Sequence, residues 1–192
     1  MENRPATRKR VMLVGAKGSG KTTFCLRLQR APFDFYFTRA AVDQFTMTKT
    51  FGHMNFDITI DDTAFDRIDG MGRLYAQFIN DITLFCFAVN DQRSFEIAKE
   101  WFLEARVSPF HSFLVGMKAD LRANPMVPRL VSRDEARLFV DTYGLRDYLE
   151  CSSMPGAKVG PERVIASVIV ATCNGPLTRS EKSYFDRVVC SL

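Results

Sequence analysis

The stretch GAKGSGKT, residues 15–22, decides how the rest of the chain is interpreted. It matches the phosphate-loop pattern GxxxxGK[ST]. The apolar run before it, residues 10–14, predicts a buried strand, and residues 21–30 after it predict a helix that Pro32 ends. A strand, this loop and a helix in that order are the context in which the pattern binds phosphate, and they argue against a chance match in a glycine-rich turn.

Phosphate would be held in this loop mainly by the backbone. Glycines let the chain curl until several N–H groups point inward, and the start of the helix adds a partial positive charge. Lys21 would reach the β- and γ-phosphates of a nucleotide, and Thr22 would bind Mg²⁺. The motif leaves the base undetermined. The predicted phosphate-binding residues are Gly15, Lys17, Gly18, Ser19, Gly20, Lys21, Thr22 and Thr23.

Length and composition fit one α/β domain. The chain has 192 residues, of which 46% are hydrophobic and 25% charged. The net charge is +4, but residues 1–10 hold four basic residues against one acidic residue, so the remainder is close to neutral. This distribution argues against nucleic-acid binding. The five cysteines include no CxxC pair, and Cys25 and Cys86 lie among apolar residues, which predicts reduced core thiols in a cytoplasmic protein.

Apolar runs alternate with segments of helical period along the chain, as in a mostly parallel sheet. Ser132 and Glu135 form a capping box that opens one helix, and Gly144 ends it. Pro161 begins the last helix. We predict a basic flexible leader at 1–9, a single domain at 10–174 and a tail at 175–192 with room for a short helix. The other predicted strands are 45–51, 55–60, 82–89, 113–116 and 148–151, and a further helix is predicted at 94–105.

Several later segments resemble the motifs of Ras-like GTPases, in the order that this family has them. Asp62 begins DTA where the family has DxxG, and VGMKADL at 115–121 resembles the guanine-reading NKxD loop. ECSS at 150–153 resembles the last base-contacting loop, and residues 84–89 with SFE at 94–96 also resemble Ras or Rho proteins. The resemblance covers about residues 10–174. It implies a P-loop α/β fold: a doubly wound, mostly parallel sheet of about six strands flanked by helices, with the nucleotide at the carboxyl ends of the strands.

The resemblance also implies which residues bind GTP or GDP with Mg²⁺. Asp120 would accept hydrogen bonds from guanine with both carboxylate oxygens, and Lys118 would lie along the base. Phe33 has the spacing of the aromatic residue that packs against guanine, in competition with Phe35, Tyr36 and Phe37. The implied guanine-binding residues are Phe33, Lys118, Asp120, Ser152 and Ser153, and the implied magnesium ligands are Thr22, Thr38 and Asp62.

Several positions depart from the family pattern. Lys17 stands where a glycine leaves room for the catalytic geometry, and Phe65 stands at the DxxG glycine. Asp66 takes the place of the water-orienting glutamine and would repel the γ-phosphate. Met117 replaces the asparagine of NKxD, which weakens the expectation of guanine selectivity. Thr38 lies about two residues early for the magnesium-sensing threonine, with a plain loop threonine as the alternative.

The same departures resemble the C-terminal GTPase domain of mitochondrial Rho (Miro) proteins. That domain also tends to lack the NKxD asparagine and the Gly-Gln pair. In those proteins EF-hands precede the domain and a membrane anchor follows it. The predicted reduced thiols favour a cytoplasmic location. The resemblance to mitochondrial Rho proteins gives the cytosolic face of the mitochondrial outer membrane as the alternative. Membrane association would need a partner or an anchor outside this sequence.

Three functions remain open at this point. The first is a guanine-nucleotide switch with slow or defective GTP hydrolysis, in contact with effector or regulatory proteins and with no nucleic acid. The second is a pseudo-GTPase interaction module without significant catalysis, suggested by Lys17, Phe65 and Asp66. The third is a small-molecule or nucleotide kinase, which shares the phosphate loop but leaves the MKAD and CSS segments unexplained. We identify no confident catalytic residue.

Overall fold

The computed structural model describes residues 6–29, 42–51, 54–63, 80–105 and 107–172. Phe33, Thr38, Phe65, Asp66 and the tail at 175–192 lie outside these ranges. The strands within them are β1 (Thr7–Gly15), β2 (Val42–Phe51), β3 (Met54–Thr63), β4 (Ile82–Ala88), β5 (Ser112–Met117) and β6 (Asp147–Glu150). The helices are α1 (Lys21–Leu28), α2 (Gln92–Ala105), α3 (Arg133–Tyr143) and α4 (Pro161–Thr172).

The six strands form one sheet in the order β2-β3-β1-β4-β5-β6. Only β2 and β3 pair antiparallel, so the predicted mostly parallel α/β sheet is confirmed. β1 lies between β3 and β4, where Leu13 pairs with Asp62 and Gly15 pairs with Cys86. In chain order, β3 lies on one side of β1 and the next strand, β4, lies on its other side, so the strand order reverses at β1. The carboxyl end of such a strand is where ligands bind in folds of this type.

The first strand begins earlier than its apolar run. Residues 7–9, assigned to the flexible leader, pair in parallel with Phe56, Asp57 and Ile58 of β3. The prediction that residues 7–9 belong to a flexible leader is wrong. The backbone of a strand can pair with its neighbour even where the side chains are polar, as they are at the start of β1. Residues 1–5 lie outside the described ranges.

Alternate residues of β1 enter two different cores. Val11 and Leu13 pack with α1 and α4 on one face of the sheet, whereas Met12 and Val14 pack with α2 and α3 on the other. This alternation follows from the two-residue period of a strand. Helices therefore cover both faces, as a doubly wound fold requires, and β1 with its following loop is held from both sides.

Side chains and a glycine mark the helix ends, and at α3 the predicted cap at Ser132 and the predicted end at Gly144 are confirmed. Asp91 Oδ1 accepts a hydrogen bond from the Ser94 N–H at 3.2 Å, and Ser132 Oγ accepts one from the Glu135 N–H at 3.0 Å. The Glu135 carboxylate accepts a further bond from Gln92 Nε2 at 3.0 Å, which ties α3 to α2. Gly144 ends α3 with a φ of +69°. Among the described residues, no helix has the length and apolar character needed to cross a bilayer.

Candidate functional site

The loop between β1 and α1 depends on glycine at its two ends. A Cβ on Gly15 would lie 2.0 Å from the carbonyl oxygen of Cys86, so only glycine lets the chain pass this close to β4. Gly20 precedes α1 with a φ of +112°, a conformation that other residues adopt at a cost. No side chain caps the start of α1. The first N–H groups of the helix are therefore left for an anion.

Lys21 is held at this loop by carbonyl groups. Its side chain is largely buried, with 7% of the residue exposed. The ammonium group donates to the carbonyl oxygen of Gly15 at 2.6 Å and to that of Ala16 at 3.1 Å. Both acceptors are neutral, so these bonds hold the positive charge at the loop without cancelling it. An anion bound in the loop would meet a cation already in place.

Thr22 and Asp62 join the start of α1 to the end of β3. Thr22 Oγ1 donates to Asp62 Oδ2 at 2.6 Å, and Asp62 is 5% exposed. Hydroxyl and carboxylate oxygens are ligands that Mg²⁺ accepts. The described residues contain no group of three or more His, Cys, Asp or Glu side chains that could hold a metal alone. The donor set thus fits a magnesium ion whose other ligands are phosphates and water, as is usual for this metal.

Cys86 lies on β4 beside the phosphate loop. It is fully buried, and burial raises the pKa of its thiol to about 12 against the opposing effect of Lys21. At neutral pH the group is therefore an un-ionised thiol and not a nucleophile. Cys25 and Cys151 are likewise buried and form no disulfide, so the prediction of reduced core thiols is confirmed for Cys25 and Cys86.

The predicted base-reading loop begins with an unusual backbone conformation. Lys118 follows β5 with a φ of +59°, and it is the one non-glycine residue among the described ranges with a positive φ. The chain then forms a single turn of 3₁₀ helix at Ala119–Ala123. Such a conformation costs about 1–3 kcal/mol and persists only where the surroundings enforce it. Here the Ala119 N–H donates to the Cys151 carbonyl oxygen at 3.0 Å.

Asp120 and Ser152 meet at this loop from distant parts of the sequence. Ser152 is 4% exposed, and its hydroxyl donates to Asp120 Oδ1 at 2.5 Å. The Ser152 N–H donates to the Val159 carbonyl oxygen at 3.0 Å, which anchors the serine in turn. Asp120 is exposed, so its carboxylate is oriented by Ser152 while remaining open to solvent. Ser153, half-buried, follows directly.

A charged network that the sequence motifs did not predict lies behind this loop. The Glu150 carboxylate accepts hydrogen bonds from Arg122 at 2.9 Å, Arg133 at 2.9 Å and the Tyr148 hydroxyl at 2.6 Å. Burial alone would raise the pKa of Glu150, but the bonds from Tyr148, Arg122 and Arg133 hold it below its usual value. The network joins the turn after Asp120 to β6, the strand that leads into Ser152. No local pattern signals it, because its members lie up to 28 residues apart.

Met117 brings the two loops into apolar contact. It is 1% exposed at the end of β5, and a Cβ built on Gly20 would lie 3.4 Å from its Cβ. The resembled motif has a side-chain amide here, so a hydrogen-bonding position has become a packing position. Lys17, in contrast, is exposed in the phosphate loop. The structure thus brings Lys21, Thr22 and Asp62 together, and Lys118, Asp120 and Ser152 together.

Comparisons with known proteins agree with this geometry. The profile of the Ras family matches residues 10–170. The chain is 27% identical over 179 residues to the Ras-like GTP-binding protein RHO1 of Entamoeba histolytica, covering 89% of this chain and 80% of that protein. It is 25% identical over 167 residues to the GTP-binding protein RHO1 of Eremothecium gossypii, covering 79% of each. It is 27% identical over 173 residues to the GTP-binding protein rho2 of Schizosaccharomyces pombe, covering 81% of this chain and 83% of that protein.

Proposed function

The chain belongs to the Ras family, and we propose on that premise that it binds GTP and GDP with Mg²⁺ and acts as a slowly hydrolysing molecular switch. The observation that carries the proposal is the pairing of a phosphate loop with an oriented carboxylate. Lys21 lies at the loop, and Ser152 orients Asp120 through a 2.5 Å hydrogen bond. The Rho proteins of E. gossypii and S. pombe are named GTP-binding proteins, which supports the same nucleotide for this chain.

On the phosphate side, the backbone and two side chains would share the work. The N–H groups at the start of α1 would donate to phosphate oxygens, and Lys21 would exchange its carbonyl acceptors for charged ones. Thr22 and Asp62 would hold Mg²⁺, whose charge offsets that of the phosphates. The 2.6 Å bond between these two residues already holds their oxygens together.

On the base side, Asp120 would select guanine. Its carboxylate accepts hydrogen bonds only, which matches the N1–H and the exocyclic amine of guanine. Adenine has an acceptor at N1 and no amine at position 2, so the same carboxylate disfavours adenine. Ser152 would keep Asp120 in this orientation, Lys118 would lie along the base, and Ser153 would follow in the base-contacting loop. Phe33 and Thr38 complete the proposed set.

Slow hydrolysis follows from positions that resemble the catalytic ones of the family but carry other residues. Lys17 would crowd the space for the attacking water, and Phe65 and Asp66 replace the Gly-Gln pair. We expect an intrinsic rate no faster than about 10⁻⁴ per second. Single-turnover hydrolysis of radiolabelled GTP measures this rate. Turnover of several per second without a partner protein would contradict the proposal.

A second candidate function is a non-catalytic interaction module that holds nucleotide as a structural cofactor or lacks it. The buried Met117 favours this alternative, because it replaces a polar side chain at the base loop with an apolar one. The resemblance to mitochondrial Rho proteins stays a prediction alongside it, as does a cytoplasmic or mitochondrial-surface location.

Chromatography of the nucleotide released from the purified, denatured protein separates the switch from an interaction module that lacks nucleotide. The switch proposal expects about one GDP or GTP per chain, with loss on prolonged treatment with EDTA and recovery on adding GDP and Mg²⁺. A protein that is isolated empty and fails to bind GDP or GTP with Mg²⁺ would support the interaction module. Adenine nucleotide in the eluate would contradict the role given to Asp120.

A further inference from the structure

A groove of about 520 Å³ lies between the end of α1, the strand β2, the loop at 152–160 and the start of α4. We call it the basic groove. Ser152 is the one lining residue that it shares with the proposed nucleotide site. The nucleotide-binding proposal therefore leaves the rest of this surface unexplained.

The floor of the basic groove is apolar. Leu28 and Ile165 are buried beneath it, and Met47 is half-buried along its side. Met154, at the rim, is 52% exposed. An exposed methionine beside a concave apolar floor provides an adaptable contact for an apolar side chain of a ligand.

Three cations from three different elements surround this floor. Arg27 comes from α1, Lys49 from β2 and Arg163 from α4, whereas Glu162 is the one acidic lining residue. Within the described ranges, no carboxylate forms an ion pair with any of the three cations. Other surface cations of the chain, such as Lys99 and Arg133, do have such partners. The lining of the basic groove thus has an excess of cations over carboxylates, and such a cleft attracts anions.

We propose that the basic groove binds an acidic amphipathic segment of a partner protein. Carboxylates of the segment would pair with Arg27, Lys49 and Arg163, and an apolar side chain between them would pack on the floor. An apolar floor fits a peptide side chain better than a phosphorylated headgroup, and a flat bilayer would not enter a concave surface. This inference does not depend on nucleotide binding.

The net charges of the remaining segments of this chain argue against their binding in the basic groove. Residues 30–41 carry two arginines against one aspartate, and residues 173–192 carry three basic residues against two acidic ones. Residues 1–5 and 64–79 are each neutral. None of these segments has the net negative charge that complements the basic groove, so we assign it to another protein.

To test the proposal, random 12-residue peptides from a display library are selected for binding to the full chain. The selected peptides are then synthesised with a fluorophore, and their affinities are measured by fluorescence polarisation. We expect peptides enriched in Asp and Glu with one or two large apolar residues. The double variant Lys49→Glu/Arg163→Glu should weaken their binding at least tenfold. Their affinity should also fall as salt is raised from 50 to 200 mM, because exposed ion pairs are screened.

The matched control is Arg93→Glu/Arg137→Glu, which makes the same charge change on exposed positions of α2 and α3. It should leave peptide affinity unchanged. Thermal unfolding by circular dichroism, together with GDP binding, checks that both variants fold. Peptides without acidic enrichment, equal loss in both double variants, or recovery of no peptide would overturn the proposal. So would sedimentation with phosphatidylserine vesicles that depends on Lys49 and Arg163 while no peptide binds, since that would assign the surface to a membrane.

Discussion

The phosphate side and the base side of the proposed site hold their functional groups by different means. On the phosphate side, residues 15–22 are contiguous, and a long-range hydrogen bond from Thr22 to Asp62 completes the arrangement. On the base side, Asp120 is held by Ser152, and the segments around both are joined through Glu150. The phosphate side is therefore held mainly by local backbone geometry, whereas the base side is held by side-chain contacts between distant segments.

This difference tells us what substitutions should do. Removing a group on the phosphate side removes a direct contact with the most highly charged part of the ligand. On the base side, removing Ser152 or Glu150 removes a group that supports Asp120 and its loop, while the other contacts of the loop remain. We therefore expect loss of binding in the first case and graded changes in stability or affinity in the second.

The largest effect is expected for Lys21→Ala. The side chain would donate to the β-phosphate of GDP, and a hydrogen bond to a charged group contributes about 1.5–3 kcal/mol, which is a loss in GDP affinity of roughly 10- to 100-fold. Isothermal titration with GDP and Mg²⁺ measures it. Arg137→Ala, which removes one positive charge from the exposed face of α3, is the control and should bind GDP normally. Unchanged affinity in Lys21→Ala would remove the phosphate loop from the proposal.

An intermediate effect is expected for Glu150→Gln. Two arginines and a tyrosine would lose their charged acceptor, which should lower the free energy of unfolding by about 2 kcal/mol at pH 7. The exposed Glu100→Gln on α2 is the control.

The pH dependence of this loss has a definite sign. The folded pKa of Glu150 lies below its usual value, so its contribution is present above the ordinary glutamate pKa of about 4.3 and disappears as the pH falls through the lower folded value. Urea unfolding at several pH values should therefore show the wild type and the variant converging in acid. A stability difference that stays constant down to pH 3 would contradict the role of the carboxylate charge.

The smallest effect is expected for Ser152→Ala. Loss of the hydrogen bond to Asp120 should weaken GDP by about 1 kcal/mol, or roughly fivefold, with little change in unfolding. The same substitution at Ser167, on α4 and away from the loops, should leave GDP affinity unaltered. A loss as large as that of Lys21→Ala would break the contrast between the two sides, because the base side would then be as indispensable as the phosphate side.

The binding role of the phosphate side stays a prediction, but the sequence predicted its strand, loop and helix because these are adjacent in the chain. The sequence placed Asp62 at the end of a strand, and the parallel pairing of β1 with β3 brings that residue to the loop. The family and the mostly parallel sheet were also predicted, because the motifs and the strand and helix patterns each lie in short contiguous segments. The early start of β1 escaped notice because Thr7, Arg8 and Lys9 are polar, although their backbones pair.

The base side was predicted less completely. Motif order identified Lys118, Asp120 and Ser152, but the bond from Ser152 to Asp120 and the left-handed conformation of Lys118 depend on tertiary contacts. Arg122 and Arg133 reach Glu150 from other segments, which no periodicity records, whereas Tyr148 lies two residues before Glu150 on the same strand. The roles predicted for Phe33, Thr38, Phe65 and Asp66 concern residues outside the described ranges and stay predictions.

Ser152 has one further consequence, because the same residue orients Asp120 and forms part of the wall of the basic groove. Two ligands that both bias one residue are thermodynamically linked, and each must change the affinity of the other by the same factor. A partner segment that favours the observed rotamer of Ser152 would tighten the binding of the nucleotide. Nucleotide loss would, in the same proportion, release the partner. The Ser152 hydroxyl would thus couple the binding of the nucleotide to the binding of the partner protein, although the two ligands do not contact each other.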